Sequence, residues 1–423
     1  MLATVVKSDS KGVLLKFEFE VLIPKGKGML EMEEIIQDNI HKAGLVATEC
    51  ALWEFDTDGS AIEVEGKKYT SKGKVSKAYQ TPYGEITVPR HVYQTNQGGS
   101  TYCPLDHDAR IIVGSTPKLA KMVSSKYSES GARDVHKDLY ENHGRYLSRS
   151  YIRDISHSVG ALIEEKKTWN YTTEVPCDSV SSVGVSVDGT CMLLCDDGWR
   201  QAMVGSISLY DVLGERLYTR YTALPPEHGK EKFHLTFNNE IKRIRKLYPN
   251  ADYVGIADGA TDNWTFLESH VSDQILDYFH ACEYLSDASK AAFKGTDEGT
   301  KWYEKVRHIL KKEEGGATLA LKELENLMDK RFKGSRRKEI EKAITYFRNH
   351  LHQMDYYRYR KEKWPIGSGV IEAACKVIIK QRMCNSGMKW TDNGARSVLS
   401  LRCFNKSTGM WKQFWNKIDR YGK

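Results

Sequence analysis

The sequence lacks several features that would assign it to a specialised class. None of its nine cysteines forms a C-x-x-C pair, and no run of about 18 apolar residues occurs. We therefore predict no zinc ribbon, disulfide framework or transmembrane helix. The opening residues, MLATVVKSDSKG, lack the basic, apolar and small-residue order of a signal peptide. A cytoplasmic protein with free thiols is the simplest expectation.

Charge is unevenly distributed along the chain. The net charge is +7, but residues 300–423 carry 29 Lys and Arg against 13 Asp and Glu. The remainder has an acidic balance of −9. This asymmetry favours a polyanion, such as DNA, as a partner of the C-terminal third. A solvated helical surface without a partner is the alternative.

The first 168 residues contain two predicted segments. Residues 1–115 form an α+β region, with strands at KFEFEVLIP and GEITVPRHVYQT and a helix at MLEMEEIIQDNIHKAG that ends at Gly44. Residues 116–168 contain three helical patches, the last of which is capped by Ser148 or Ser150.

These three patches are typical of a helix-turn-helix, since short helices are joined by a tight turn that contains glycine. Arg149 and Arg153 would then lie on a recognition helix and contact DNA. A small structural helical domain or linker is the alternative.

The remaining segments predict an α/β core. Residues 180–299 begin with the apolar strand SVGVSVDGTCMLL, followed by two more strands, an amphipathic helix and the short strand ADYVGIADGA. This is the opening order of a ribonuclease-H-like mixed sheet. Residues 300–362 read as a basic, Tyr-rich, all-helical insertion that stops before Pro365, and residues 363–423 return to helix and complete the core.

Two acidic residues occupy equivalent places on separate predicted strands. Asp188 lies in VSVDGT and Asp258 in VGIADGA, so each follows an apolar run and precedes glycine. Each carboxylate should emerge at a strand end with room for a ligand. Burying an unpaired carboxylate is costly, and a divalent cation is a suitable partner. Taken alone, each Asp-Gly pair is more typical of a turn than of a ligand site.

A third carboxylate completes a candidate metal site. Glu372, in WPIGSGVIEAACK, falls in the first turn of a predicted helix. Capping that helix is the alternative role. Two strand-end aspartates and a helical glutamate supply three hard oxygen ligands, which suit two Mg²⁺ ions in phosphoryl transfer, with Mn²⁺ as a substitute.

Five spans resemble the DDE transposases of bacterial insertion sequences, in particular the ISKra branch, which is related to Mutator-like transposases. They are VSVDGTCML, VGIADGATDNW, LDYFHACEYL, WPIGSGVIEAACK and QRMCNSGMKWTDNGARSVLSLR, within roughly residues 100–410. The resemblance implies a DNA transposase whose catalytic metal ligands are Asp188, Asp258 and Glu372. It also implies that transposon ends and target DNA are the partners, in a homodimer or larger synaptic complex, and a bacterial, nucleoid-associated location.

The resemblance assigns roles to four further residues. His280, in a D-x-x-H element that begins at Asp277, would help to position scissile DNA at the catalytic centre. Trp264, which follows the second Asp, would contact DNA. Arg382 would bind phosphate and Trp390 would stack on a base. A structural histidine and an ordinary core tryptophan are the alternatives for His280 and Trp390.

One departure from the family pattern lies before PLD. Relatives often carry cysteine pairs of a zinc-binding segment there, whereas TNQGGSTYCPLDHDAR has only Cys103. The zinc site is therefore predicted to be absent. This departure motivates a second hypothesis, a domesticated DNA-binding protein without catalysis, and a third is a structure-specific nuclease on the same fold.

Overall fold

We describe the protein from a computed structural model, which places residues 2–9, 12–18, 20–227, 229–328 and 332–423. Over these ranges the chain is a helix-rich mixed α/β protein divided into two units. The first comprises Met1–Trp169 with Lys412–Lys423, and the second comprises Asn170–Trp411. None of the helices in these ranges is both long and apolar enough to cross a membrane.

The first unit contains two antiparallel sheets, one of the order β1-β2 and one of the order β3-β4-β5-β6. The strands are β1 (Leu2–Asp9), β2 (Gly12–Glu18), β3 (Ile62–Val64), β4 (Lys67–Thr81), β5 (Gly84–Thr95) and β6 (Gly98–Tyr102). The helices are α1 (Met29–Trp53), α2 (Pro104–Asp108), α3 (Pro117–Glu129), α4 (Ala132–His143) and α5 (Arg149–Lys166).

Two predictions for the first unit fared differently. The strand predicted at GEITVPRHVYQT is confirmed as β5. The strand predicted at KFEFEVLIP is confirmed as far as Glu18, where β2 ends opposite Leu2 of its partner strand. It is wrong from Glu20 onward, and Phe19 lies outside the described residues. An apolar run therefore marks a strand only as far as a neighbouring strand pairs with it.

Helix α1 corrects a predicted boundary. The helix does not end at Gly44 but continues to Trp53. The ring of Tyr83 packs against the helix at this point, and a Cβ on Gly44 would lie 2.5 Å from Tyr83 Cγ. Glycine is needed here because the Tyr83 ring comes so close to the helix backbone. Glycine is also common just after the end of a helix, which is why the sequence predicted an end at this residue.

The three helical patches predicted between residues 116 and 168 are confirmed as α3, α4 and α5. Gly144 closes α4 with a left-handed φ of 59°, as glycine at this position commonly does. Of the two predicted caps for α5, Ser148 is the one used, since its side chain accepts from the Tyr151 N–H at 3.2 Å.

The second unit is built on a five-stranded mixed sheet of the order β11-β10-β7-β8-β9. Strands β7, β8 and β9 are antiparallel, whereas β10 runs parallel to both β7 and β11. The strands are β7 (Ser182–Leu194), β8 (Gly198–Tyr210), β9 (Arg216–Leu224), β10 (Asp252–Ala257) and β11 (Asp273–Leu276).

Helices of this unit cover both faces of the sheet and extend beyond it. They are α6 (Glu231–Leu247), α7 (Thr261–Glu268), α8 (Tyr278–Phe293), α9 (Asp297–Lys312), α10 (Gly316–Met328), α11 (Ser335–His350), α12 (Tyr356–Lys361), α13 (Gly369–Ala374), α14 (Gln381–Met383) and α15 (Asp392–Lys406). The last helix, α16 (Met410–Tyr421), belongs to the first unit from Lys412 onward. The segment predicted as all-helical over residues 300–362 consists, where it is described, of helices α9 to α12 and the turns between them.

The two faces of β7 have different neighbours because side chains alternate along a strand. Val187 shares its face with Gly205 of β8, where a Cβ would lie 2.6 Å from the Phe237 ring of α6. That face therefore packs on α6. The opposite face carries Gly184 and Asp188 and meets residues that follow Pro365.

The helices after β11 also cover the free edge of this strand. Tyr356 Oη donates to the Leu276 carbonyl at 3.0 Å, and Tyr359 Oη donates to the Gln274 carbonyl at 3.2 Å. These hydroxyls satisfy carbonyls that an edge strand would otherwise leave without a partner in the sheet.

Candidate active site

The sheet brings the two predicted aspartates next to each other. The predicted strand-end position is confirmed for Asp258, which follows the last residue of β10. It is wrong for Asp188, which lies in the middle of β7, because this strand stays paired with β8 as far as Leu194. The parallel register pairs Ile256 with Ser186. Two residues farther along each strand, Asp258 and Asp188 come into line, on the same face of the sheet because the period of a strand is two.

Glu372 comes from the C-terminal part of the second unit and lies on the same face of the sheet as Asp188. It lies in the first turn of α13, and its Oε1 accepts from Ser368 Oγ at 2.5 Å. Ser368 makes no side-chain bond to the helix backbone as an N-cap. The capping box that was the alternative role for Glu372 is therefore not formed, and the carboxylate is exposed.

An open cleft joins Asp188 and Glu372. It has a volume of about 850 Å³ and is lined from β7 by Asp188, Gly189 and Thr190. The helical side is lined by Gly369, Glu372, Ala373, Cys375, Lys376, Lys380 and Gln381. Two carboxylates and two ammonium groups therefore border one cleft, which suits an anionic ligand that arrives with a cation.

Electrostatics couple the three carboxylates. Burial raises the pKa of Asp188 above its usual range, and the negative charges of Asp258 and Glu372 add to this effect. The Gly189 N–H, 2.6 Å from Asp188 Oδ1, and the Cys375 thiol oppose it. In the described ranges no Lys, Arg or His forms an ion pair with Asp188. The Asp188 carboxylate is therefore compensated by two hydrogen bonds rather than by an ion pair.

Cys375 ties the helix to the first strand. Its thiol is 5% exposed and donates to Asp188 Oδ2 across 3.3 Å. Between α13 and α14, residues Cys375–Lys380 form a π-helical turn. π turns of this kind often mark functional sites, because one extra residue rotates the side chains beyond it.

A buried arginine stabilises this π-helical turn. Arg402, on α15, is 1% exposed. Its Nε donates to the Ile378 carbonyl at 2.9 Å, and its Nη2 donates to the Val377 carbonyl. Two carbonyls in the turn thus have charged donors, which compensates for the altered helical hydrogen bonding.

Asp277 links the His280 element to the loop before Glu372. Its side chain is buried and caps α8, with Oδ1 accepting from the His280 N–H at 2.7 Å. The other oxygen, Oδ2, accepts from the Ser368 N–H. One carboxylate therefore fixes both the start of α8 and the residue that supports Glu372.

His280 itself lies in the first turn of α8, where its side chain is 38% exposed. Nδ1 lies 3.3 Å from Glu283 Oε2, and the ring meets Tyr284 edge-on at 6.1 Å. The imidazole is thus accessible to a ligand. Its proposed role in positioning DNA stays a prediction.

Two residues predicted to contact DNA are buried. Trp264 is 7% exposed and belongs to the core of the second unit, where the residues of α7 pack beside β10. Arg382 is 1% exposed, with its guanidinium carbon 5.2 Å from the Trp390 ring centre. As placed, neither side chain presents a surface to DNA, so their positions give the predicted contacts no support.

Trp390 has a structural place beside β7. Its backbone N–H donates to the Leu193 carbonyl at 3.1 Å, and its carbonyl accepts from the Cys195 N–H at 2.9 Å. The indole N–H donates to the Met383 carbonyl at 2.8 Å. Trp390 is nevertheless only partly buried, so it is not the ordinary core tryptophan of the alternative. Its stacking on a base stays a prediction.

Arg149 and Arg153 are both exposed, one turn apart on α5. Residues at i and i+4 lie on one face of a helix. Their accessibility permits the predicted contact with DNA, which stays a prediction.

The three carboxylates fit a divalent cation by the chemistry of their donors, since hard oxygens suit Mg²⁺. However, no group of three or more His, Cys, Asp or Glu side chains within the described ranges is arranged to hold a metal ion. The three carboxylates lie on one face of the sheet without converging on one point.

Sequence reasoning missed Cys375, Lys376 and Arg402. The spacing of the first two from Glu372, three and four residues, would have placed them beside it on a helix. No sequence signal pointed to Arg402. No protein-family model and no curated protein matches this chain.

Proposed function

We propose that the protein is a DNA transposase that cleaves transposon ends and joins them to target DNA with the help of two Mg²⁺ ions. The observation that carries this proposal is the gathering of Asp188, Asp258 and Glu372 on one face of a mixed sheet, from three distant parts of the chain. Among these residues Asp188 lacks a cation partner in the described ranges.

The topology supports a ribonuclease-H-like core. Three antiparallel strands come first, a helix follows, and β10 then lies parallel to the first strand. The first aspartate lies on the first strand and the second at the end of the fourth. This order and placement are those expected from the resemblance to DDE transposases.

In the proposed reaction, a water oxygen forms a bond to phosphorus at the element end while the bond to the 3′-oxygen breaks. The freed 3′-hydroxyl then attacks a phosphorus of target DNA and displaces another 3′-oxygen. Mg²⁺ held by the three carboxylates would supply positive charge for the attacking and leaving oxygens. Mn²⁺ would substitute for it.

The chain's own residues would position the substrate. Lys376 and Lys380 lie one turn apart on the wall of the cleft and would bind the phosphates that flank the scissile bond. The exposed face of α5 with Arg149 and Arg153 would bind the terminal inverted repeats as part of a helix-turn-helix. Pairing two ends would require a homodimer or a larger synaptic complex.

The experiment uses the DNA that flanks this reading frame, tested for inverted repeats and used as the substrate. With Mg²⁺, wild-type protein should cleave an element end and join it to a target. Glu372→Gln should abolish both steps and leave end binding unchanged. Glu231→Gln, the same change in the first turn of α6, is the matched control and should remain active.

Undiminished cleavage and joining by Glu372→Gln would overturn the assignment of this residue. Cleavage without joining by the wild type would instead indicate a structure-specific nuclease.

A second candidate is a DNA-binding protein without catalysis. The absence, within the described ranges, of a group of side chains arranged for a metal ion favours it. Such a protein should bind the same DNA ends and take up no Mn²⁺ through its carboxylates. Calorimetric titration with Mn²⁺ separates the two candidates.

A further inference from the structure

The turn that carries Asp258 is narrow and conformationally restricted. Asp258 Oδ1 accepts from the Ala260 N–H at 3.2 Å, which folds the side chain back over its own turn. Between them Gly259 has a φ of +105°, a conformation that side chains with a Cβ rarely adopt. The direction of the Asp258 carboxylate therefore depends on how this turn is held.

One side chain from the distant helix α11 lies directly on this turn. Tyr346 Oη donates to the Asp258 carbonyl at 3.0 Å. A Cβ on Gly259 would lie 3.0 Å from the same hydroxyl oxygen. The phenol thus contacts two successive residues of the turn, although 88 positions separate it from Asp258 in the chain.

Tyr346 is itself held in place from both sides. Its ring stacks on Tyr284 of α8 at a centroid distance of 3.8 Å and an angle of 10°, and it meets the ring of His350 at 4.7 Å. The Lys342 ammonium lies 5.3 Å from the Tyr284 ring centre. A fixed donor of this kind can fix the backbone that it contacts.

We infer that Tyr346 is a positioning residue through which the helices after β11 set the Asp258 turn for binding of a divalent cation. The inference rests on the proposed function, since that function makes Asp258 a metal ligand. The helices after β11 would then have a role besides the proposed contact with DNA, because Tyr346 of α11 would stabilise the turn that carries Asp258. Removal of the hydroxyl should therefore loosen metal binding without unfolding the protein.

Two tyrosines of the same segment allow a matched comparison. Tyr346→Phe and Tyr356→Phe each remove one hydroxyl that donates to a backbone carbonyl at 3.0 Å and keep the ring. The Tyr356 hydroxyl donates to the carbonyl of Leu276, the last residue of β11, whereas the Tyr346 hydroxyl donates to the carbonyl of Asp258. If both hydroxyls only stabilise the fold, the two substitutions should change the Kd for Mn²⁺ to the same extent.

The test measures the Kd for Mn²⁺ by isothermal titration calorimetry on the full chain, together with the unfolding temperature without metal. Tyr346→Phe should raise the Kd by about fivefold to tenfold, the scale of one lost hydrogen bond. Tyr356→Phe should keep the Kd within about twofold of the wild type. Both variants should lower the unfolding temperature by similar amounts.

Two results overturn the inference and differ from failure of the proposed function. One is an equal Kd for the wild type and Tyr346→Phe. The other is an equal loss of affinity in both tyrosine variants, which would indicate general loosening. If instead the wild type and Asp258→Asn take up the same Mn²⁺, the proposed metal site itself fails, and the inference fails with it.

Discussion

Replacement of Arg402 by methionine tests whether this residue stabilises the helix that carries Glu372. Methionine is unbranched and fills much of the same volume, so the change removes the guanidinium without leaving a large void. Arg402 donates through Nε and Nη2 to the Ile378 and Val377 carbonyls of the π-helical turn. Arg402→Met leaves both carbonyls without these donors.

The size of the effect follows from these two bonds. A buried acceptor that loses its partner costs about 1–3 kcal/mol, which gives about 2–6 kcal/mol for both. Burying a guanidinium is itself costly, and its removal offsets part of this loss. We expect a net loss of about 2–4 kcal/mol in the free energy of unfolding of the second unit.

Urea unfolding followed by tryptophan fluorescence measures this loss. The matched control is Arg396→Met on the same helix, since Arg396 is 29% exposed and lies 3.7 Å from the more exposed Asp392. That pair should contribute less than about 1 kcal/mol. Arg402→Lys retains the charge but not the planar fork, so it should fall between the two. Equal midpoints for Arg402→Met and Arg396→Met would refute the reasoning.

Three further predictions concern Asp188, Asp277 and the proposed DNA-binding face of α5. Asp188→Asn should raise the unfolding temperature of the metal-free protein at neutral pH, because the raised pKa of Asp188 shows that its ionised form is disfavoured in the fold. The cost of ionised Asp188 is present above its folded-state pKa and disappears as the pH falls through that pKa. The gain in unfolding temperature from Asp188→Asn should therefore shrink in acid, and a gain that does not change with pH would contradict this prediction. Asp277→Asn should lower stability by about 1–2 kcal/mol in thermal unfolding. The reason is that an amide has one acceptor oxygen, whereas the two carboxylate oxygens of Asp277 accept from the N–H groups of His280 and Ser368. Arg149→Ala and Arg153→Ala should each reduce the slope of log K against log salt for DNA binding by about 1, and an unchanged slope would remove both from the interface.

Strand positions in the second unit were predictable because burial leaves a simple pattern. The run SVGVSVDGTCMLL coincides with β7, and the short apolar run before Asp258 is β10. A strand covered on both faces reads as a continuous apolar segment. The end of β10 before Asp258 could be predicted for this reason, whereas the continuation of β7 beyond Asp188 was missed at that residue.

Exposure was harder to predict than secondary structure. The resemblance to transposases implies that Trp264 and Arg382 contact DNA, yet both are buried. The sequence shows only that a tryptophan or an arginine is present near a site. It does not show whether the side chain binds a ligand or packs in the core. Only packing distinguishes the two cases.

The contacts that orient the site were not predictable from spacing. Cys375 meets Asp188 across 187 positions, and Tyr346 meets Asp258 across 88. Both bonds depend on how helices pack on the sheet, and this packing has no local signal in the sequence. The resemblance to transposases identified the carboxylates but not the residues that hold them.

Calorimetric titration of the full chain with Mn²⁺ tests the central claim most directly, because it needs no knowledge of the DNA substrate. The account predicts uptake by the wild type that is strongly weakened by Asp188→Asn, Asp258→Asn or Glu372→Gln and retained by Glu231→Gln. Uptake that these three substitutions leave unchanged, or no uptake by the wild type, would contradict a metal site formed by Asp188, Asp258 and Glu372.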